Sequence, residues 1–262
     1  MNAPTGRRVR VAVVFGGRSS EHAISCVTAG SVLQAIDRTK YDVVPVGIAA
    51  DGRWVLEADD PERHRITGPG KLPAVDGDRA SVALARTEAG AGLVVSEAAA
   101  PPRELGEVDV VFPLLHGPWG EDGTIQGLFE MSDVRYVGSG VLASAVSMDK
   151  AFMKVVLASA GLPVMPSETV TAREWAADPA AVRARVATLG YPLFVKPARG
   201  GSSIGIAKAH SADEIDQALE GALAHDPKVL VEVSAEGARE VECGVLQALD
   251  GTAETSLPAE IR

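Results

Sequence analysis

The residues best suited to chemistry lie in the stretch VKPARGGSSIGIAK, positions 195–208. Lys196 ends an apolar, β-branched run, so its ammonium emerges beside the following loop and not in open solvent. Gly200, Gly201 and Gly205 let the backbone come close to a ligand, and successive N–H groups in such a loop can form a nest for an anion. Ser202 and Ser203 add hydroxyl donors. The set suits a polyphosphate. A glycine-rich link between two strands is otherwise a plain hairpin loop at the surface, so the decision rests on the residues around it. No GxxxxGK[ST] occurs in the chain, and FGGRSSE after the first apolar run lacks GxGxxG, so neither a Walker-type loop nor a dinucleotide fingerprint is present.

Three further side chains bear on that decision. Lys150 falls in the first turn of a helix expected over 149–160. An exposed cation there opposes the helix dipole at a cost of about 0.3–1 kcal/mol. Lys150 is therefore either a tolerated surface lysine or one that faces an anionic partner. Glu21, in GGRSSEHAIS, opens a helix that follows a parallel strand, on the sheet edge where open α/β proteins bind ligands. It is a favourable first-turn carboxylate behind a Ser20 N-cap, and it is also placed to hold a substrate ammonium. His116, in LHGPWGEDG, follows an apolar strand and reaches the same edge, whereas His22 alone reads as structural or solvent-facing.

These groups need a scaffold that brings strand ends together. VRVAVVF (9–15) is a continuous β-branched run, the mark of a buried parallel strand. Cys26, Ala29, Leu33 and Ile36 then recur at helical spacing within 21–37, and YDVVPVGIA (41–49) returns to β. This β-α-β opening predicts a parallel sheet with helices on its faces. Residues 57–107 are rich in Pro, Gly, Ala and charge, and predict an excursion with a short strand pair. Further strands are expected at 109–113 and 134–137, with a helix at 124–131 between them. Helices follow at 141–147 and 149–160, the latter with an apolar stripe of Met153, Val156, Leu157 and Ala160, stopped by Gly161 and Pro163. Strands are expected at 192–196, 204–208, 228–233 and 240–249, with a helix at 212–224 and a β-like stretch at the end.

Composition excludes several classes. The net charge is −10, which argues against broad binding to nucleic acid or to an anionic membrane, though not against a small anion held by a local cluster. Hydrophobic residues make up 46%, enough for a real core. Cys26 and Cys243 lie far apart with no metal-ligand spacing, which fits a reducing compartment. The run Val9–Phe15 is too short and too β-branched for a signal peptide, and no stretch is long enough to cross a membrane. A cytoplasmic protein with no nucleic-acid or membrane partner is expected.

The segments FGGRSSEHAIS, LLHGPWGEDGTIQGLFE, YVGSGVLASAVSMDK, AGLPVMPS, YPLFVKPARGGSSIGIAK and VLVEVSAEGAREVECGVL together resemble the D-alanine–D-alanine ligases of the ATP-grasp superfamily, from about Val9 to Arg262. The resemblance implies an α/β protein, α+β in the ATP-grasp part. It divides into an N-terminal parallel-sheet pre-ATP-grasp domain (1–140), a central ATP-grasp subdomain with the phosphate loop (141–227) and an incomplete C-terminal ATP-grasp subdomain (228–262). It implies ATP phosphates on Lys150, Lys196 and the loop with Gly200, Gly201, Ser202 and Ser203, adenine at Glu232, and ribose at Glu240. Glu232 and Glu240 stand eight positions apart, one more than the resemblance implies. Glu21, linked to Ser202, would hold the ammonium of the first D-alanine, and His116 would lie by its carboxylate.

The reaction so implied joins two D-alanines through an acyl phosphate for peptidoglycan synthesis, with ATP and Mg²⁺, in a homodimer. The metal ligands are expected beyond Arg262 and none in this chain, so that the chain by itself is expected to be an inactive fragment with exposed apolar surface and a weakly stable 228–262 segment. D-Alanine–D-lactate ligase is the alternative within the family. A non-catalytic nucleotide-binding or interaction module is the alternative outside it.

Overall fold

The computed structural model describes residues 7–87, 90–97 and 100–261. Strand β1 (Val9–Gly16) runs parallel to β2 (Tyr41–Ile48), and helix α1 (His22–Ala35) crosses between them. The alternation of a strand explains why β1 is buried on both sides. Val11, Val13 and Phe15 pack with Cys26, Ala29 and Leu33 of α1, while Ala12 and Val14 pack with the opposite layer around Ile125 and Phe129. Continuous apolar sequence is what such a strand requires.

The sheet is larger than the sequence suggests. Strands β3 (Trp54–Leu56), β4 (Ser81–Thr87), β5 (Gly90–Glu97) and β6 (Ala100–Glu107) extend it antiparallel beyond β2. Strand β7 (Val110–Pro113) pairs parallel to β1, giving seven strands in the order β6-β5-β4-β3-β2-β1-β7. The expected short strand pair in 57–107 is thus corrected to three strands of the main sheet, β4, β5 and β6. One face of them is buried through Val82, Leu93 and Val95, but Ala and Gly stand where strong β-formers would reveal the alternation. The two prolines Pro101 and Pro102 lie in β6 at the sheet edge, where a missing ladder donor is tolerated. Helix α2 (Thr124–Met131) forms as expected, whereas 134–137 makes only a single bridge, Tyr136 to Val111.

Helices α3 (Val141–Met148) and α4 (Lys150–Ser159) meet at Asp149, whose carboxylate caps α4 by accepting from the N–H of Ala151 at 3.1 Å and of Phe152 at 3.3 Å. The apolar stripe expected on α4 does not enter a core. Val155 and Val156 are exposed, as is Phe152. Strand β8 (Ser167–Thr171), helix α5 (Ala172–Ala177) and helix α6 (Pro179–Ala187) fill a region to which sequence reading assigned no elements. Their signals were local: a capping box between Thr171 and Glu174, and Asp178 before Pro179.

Strands β9 (Leu193–Pro197), β10 (Ala207–Ala209) and β11 (Lys228–Val233) join β8 in an antiparallel sheet ordered β10-β9-β11-β8, with helix α7 (Ile215–Leu223) beside it. The expected boundary at 227/228 falls inside this sheet. Leu193, Val195, Val229 and Val231 face α6 and α7, burying Val182, Val186, Ile215 and Leu219. By the same two-residue period, Phe194, Lys196, Leu230 and Glu232 share the other face. One register therefore sorts core from site. Short strands β12 (Glu240–Glu242), β13 (Val245–Gln247), β14 (Ala253–Thr255) and β15 (Ala259–Ile261) pair β12 with β15 and β13 with β14. The single strand expected over 240–249 breaks at Gly244, whose N–H turns to Ser256 Oγ at 2.8 Å. Val245, Leu246, Leu249 and Leu257 are exposed. Among the described residues no helix is long and apolar enough to cross a membrane.

Candidate functional site

Four basic or acidic side chains converge where β9 ends. Lys196 and Glu232 form an ion pair across β9 and β11, and the other oxygen of Glu232 receives Lys154 at 2.9 Å. Lys150 donates to the carbonyl of Gly200, and its backbone N–H donates to Ala198 O at 3.0 Å. Two lysines thus pair with one carboxylate, and a third points to the loop beside them. Burial pushes the Lys150 ammonium below the ordinary lysine range, and the neighbouring charge of Lys196 pushes it the same way. Burial by itself would raise the Glu232 carboxyl, but Lys196 and Lys154 outweigh it and hold it below the usual range. The local field is positive although the protein is acidic, and so it suits a polyanion.

The glycine loop lies over this cluster. Ser202 has φ 49° and Ser203 φ 58°, left-handed values that a serine rarely adopts. Tethers on both sides hold the strained turn. Before it, the buried Asp226 takes Arg199 through the backbone N–H at 2.8 Å and the guanidinium at 2.7 Å. Within it, Ser202 Oγ donates to Glu21 Oε1. Glu21 is itself buried, and it sits at the N-cap of α1 without capping it. The expected Ser20 cap is absent, because Glu21 takes the cap position and its carboxylate turns to the loop.

The sheet edge around Glu21 is close-packed. A side chain at Gly117, which has φ +71°, would place its Cβ 2.2 Å from Glu21 Oε2, so only glycine fits beside this carboxylate. Ser19 Oγ donates to the His116 carbonyl at 2.7 Å, and the His116 ring meets Thr28 Oγ1 at 3.1 Å. His22 proves structural. Its Nε2 accepts from the Val75 N–H at 3.1 Å and its Nδ1 lies 2.6 Å from Gly17 O, fastening the excursion to the first loop.

Beyond the lysines opens a cleft of about 500 Å³, lined by Phe194, Lys196, Ser203, Ile206, Glu232 and Glu240 among others. The expected residues therefore fall into two connected groups, Glu21 and His116 with Ser202 on one side, Lys150, Lys196, Ser203, Glu232 and Glu240 on the other. Sequence reading missed Lys154 and the Arg199–Asp226 anchor. Lys154 had a signal, since it stands one helical turn from Lys150 on α4. Among the described residues, no three His, Cys, Asp or Glu side chains gather in a way that could hold a metal ion.

Comparison with known proteins settles the family. The profile of the D-ala D-ala ligase N-terminus matches residues 10–139, and that of the D-ala D-ala ligase C-terminus matches residues 156–262. A D-alanine–D-alanine ligase from Streptomyces griseus is 58% identical over 97% of this chain and 66% of its own length. One from Paenarthrobacter aurescens is 56% identical over 99% of this chain and 68% of its own length. This chain belongs to the D-alanine–D-alanine ligase family. It spans about two thirds of the length of these relatives. Among solved structures, the VanG D-Ala:D-Ser ligase from Enterococcus faecalis superposes with a TM-score of 0.79 at 34% identity, over 97% of this chain and 70% of that one. The D-alanine–D-alanine ligase from Coxiella burnetii gives 0.78 at 31%, over 97% and 71%. The fold is ATP-grasp.

The lowered Lys150 has a measurable consequence. An anion needs the lysine charged, and Lys150 gives up its proton more readily than an ordinary lysine at about 10.4. The affinity of this cluster for inorganic tripolyphosphate is therefore expected to fall as pH rises, starting below that value, with proton uptake on binding. Calorimetry in buffers of different ionisation enthalpy checks this, and Lys150→Arg, charged throughout, is expected to move the fall to higher pH.

Proposed function

We propose that this chain carries the nucleotide site and the first amino-acid site of an ATP-dependent ligase that joins two D-alanines for peptidoglycan precursors. The observation that carries the reading is the contact of Ser202 with Glu21, because it ties a phosphate-type loop to a buried carboxylate suited to an ammonium. The names of the relatives favour D-alanine over D-lactate as second substrate.

In this reading Lys150, Lys196 and the loop N–H groups neutralise the phosphates of ATP, while Glu232 and Glu240 face adenine and ribose in the adjoining cleft. Glu21 holds the ammonium of the first D-alanine, and His116 lies by its carboxylate. That carboxylate attacks the γ-phosphorus, ADP leaves, and the charge that develops on the transferred group meets the lysines. The amine of the second D-alanine then attacks the acyl carbon, loses a proton, and expels phosphate. The loop closed over the site keeps water from the acyl phosphate. Members of this family use ATP with Mg²⁺, and every step assigned to this chain is carried by its own lysines, carboxylates and N–H groups.

The units fit these roles: 1–140 for the first amino acid, the sheet of β8–β11 with α3 and α4 for the phosphates, and the residues after Val233 for the ribose side. An apolar groove of Val11, Val32, Ile36, Tyr41, Val110 and Phe112 on the N-terminal unit supports a homodimer. ATP and free D-alanine as substrates support a cytoplasmic site. The test is phosphate release from ATP with Mg²⁺ by the full-length protein, with and without D-alanine. Release that depends on D-alanine and yields D-alanyl-D-alanine is expected. Release indifferent to D-alanine overturns the reading, and product with D-lactate at equal efficiency moves it to the alternative ligase.

A further inference from the structure

Lys154 has no role in the scheme above, yet it is one of the least exposed charges in the structure. Its side chain is 13% exposed and that of Glu232 14%. Its ammonium lies 2.9 Å from Glu232 Oε2 and donates to the Met165 carbonyl at 2.8 Å. Glu232 Oε1 is taken by Lys196. Each oxygen of one buried carboxylate therefore has its own lysine.

Helix stability does not account for Lys154. Lysines four apart repel on a helix face, and Lys150 and Lys154 are so placed on α4. The reason for the second lysine lies in what Lys196 must do. Lys196 is paired with Glu232, while the nucleotide reading requires it at a phosphate. Drawing Lys196 away would leave Glu232 buried with half its charge uncompensated, and breaking a buried ion pair by removing one partner is strongly unfavourable. A single lysine on Glu232 would thus compete with the ligand. Lys154 approaches from α4, independently of β9, and it is anchored at a second point by Met165 O.

We infer that Lys154 is a positioning residue that keeps Glu232 compensated and aimed into the cleft, so that Lys196 is released to bind phosphate. The inference rests on the nucleotide reading. It makes the Lys196–Glu232 pair an exchangeable contact and the Lys154–Glu232 pair the fixed one.

The test uses inorganic tripolyphosphate, which carries the phosphate charge without the base, and ATP, both titrated calorimetrically into the full-length protein. Lys154→Met keeps the length of the side chain and removes its charge. It is expected to weaken tripolyphosphate binding about tenfold or more, because Glu232 then retains Lys196. Lys154→Arg is expected to stay within about twofold of the parent, since it restores the charge. The decisive variant is Lys154→Met combined with Glu232→Gln. With no carboxylate to compete for Lys196, tripolyphosphate affinity is expected to recover while ATP, deprived of Glu232, stays weak. A lysine that served stability alone would show its rescue by the partner substitution in thermal unfolding and not in the tripolyphosphate affinity of the folded variants. Parent-like binding by Lys154→Met, or no recovery in the double variant, overturns the inference alone. Failure of the parent protein to bind either ligand overturns the nucleotide reading and this inference with it. If Lys154→Met unfolds, Lys154→Gln with the same partner change makes the same comparison.

Discussion

Lys196→Ala is expected to lower turnover by on the order of 10²–10³ and to weaken ATP binding in the full-length protein. The size follows from position. Lys196 leaves β9 on the face opposite the core, so its removal opens no cavity among Leu193, Val195 and their partners. What disappears is a cation beside Lys150 and beneath the glycine loop. A second effect has the opposite sign. Lys150 is held below the ordinary lysine range by burial and by Lys196, so the substitution lets its pKa rise. Lys150 is then more fully charged at high pH, and the alkaline fall in ATP affinity should move upward even as affinity drops. ATP titration across pH measures both changes. Unaltered ATP affinity would remove Lys196 from the phosphate site.

The same residue shows what a sequence can reveal. Lys196, its glycines and serines, and the β-branched runs around them were legible because buried strands and phosphate loops need particular residue types in tight order. Helices α1, α2, α4 and α7 were legible for the same reason. The antiparallel strands β3–β6 were not, since Ala and Gly on a half-wet surface carry little alternation. The burial of α4 was misread. Its apolar spacing is real, but spacing says only that a face is apolar and not that the described residues cover it. Partnerships between distant segments were hardest to see. Asp226 and Arg199 lie 27 positions apart, and Lys154 on α4 meets Glu232 on β11 only in the folded chain. Lys154 was hidden for a further reason: a lysine on a helix is ordinarily solvated, and only its carboxylate partner marks it as different.

The loop's strain connects this geometry to substrate. Two successive left-handed serines cost of order 1–3 kcal/mol each, and such a turn persists only where its surroundings over-determine it. Asp226 fixes the turn through Arg199, and Asp226 itself is held below the usual carboxylate range, since the Arg199 guanidinium and the backbone N–H of Lys228 and Arg199 outweigh its burial. That contribution is present above the unfolded carboxylate value near 3.9 and is lost as pH falls through the lower folded value. The far side of the loop is tethered to the N-terminal unit by Ser202 to Glu21. Loop and Glu21 carboxylate are therefore mechanically one object, and a change at Glu21 can act either on the amino acid that the proposed function places there or on the loop it fastens.

Glu21→Gln separates those two actions. The amide keeps the shape of the carboxylate, so it fits beside Gly117, where a Cβ would leave no room, and it still offers an oxygen to Ser202 Oγ. Only the charge is lost. A hydrogen bond to a charged group contributes about 1.5–3 kcal/mol, so D-alanine use at the first site is expected to fall by about 10- to 100-fold. ATP affinity should change by less than about twofold, because Lys150, Lys196 and Lys154 keep their partners on the other sheet. Kinetics with D-alanine varied, alongside direct ATP titration, tests the split. Equal losses for both ligands would mean that Glu21 acts through the loop and does not hold the ammonium. A loss confined to D-alanine would assign the carboxylate to the substrate and leave Ser202 as the coupling between them. Glu21→Ala removes both the charge and the tether, so the ATP affinity it loses beyond Glu21→Gln measures what the tether contributes to the closed loop.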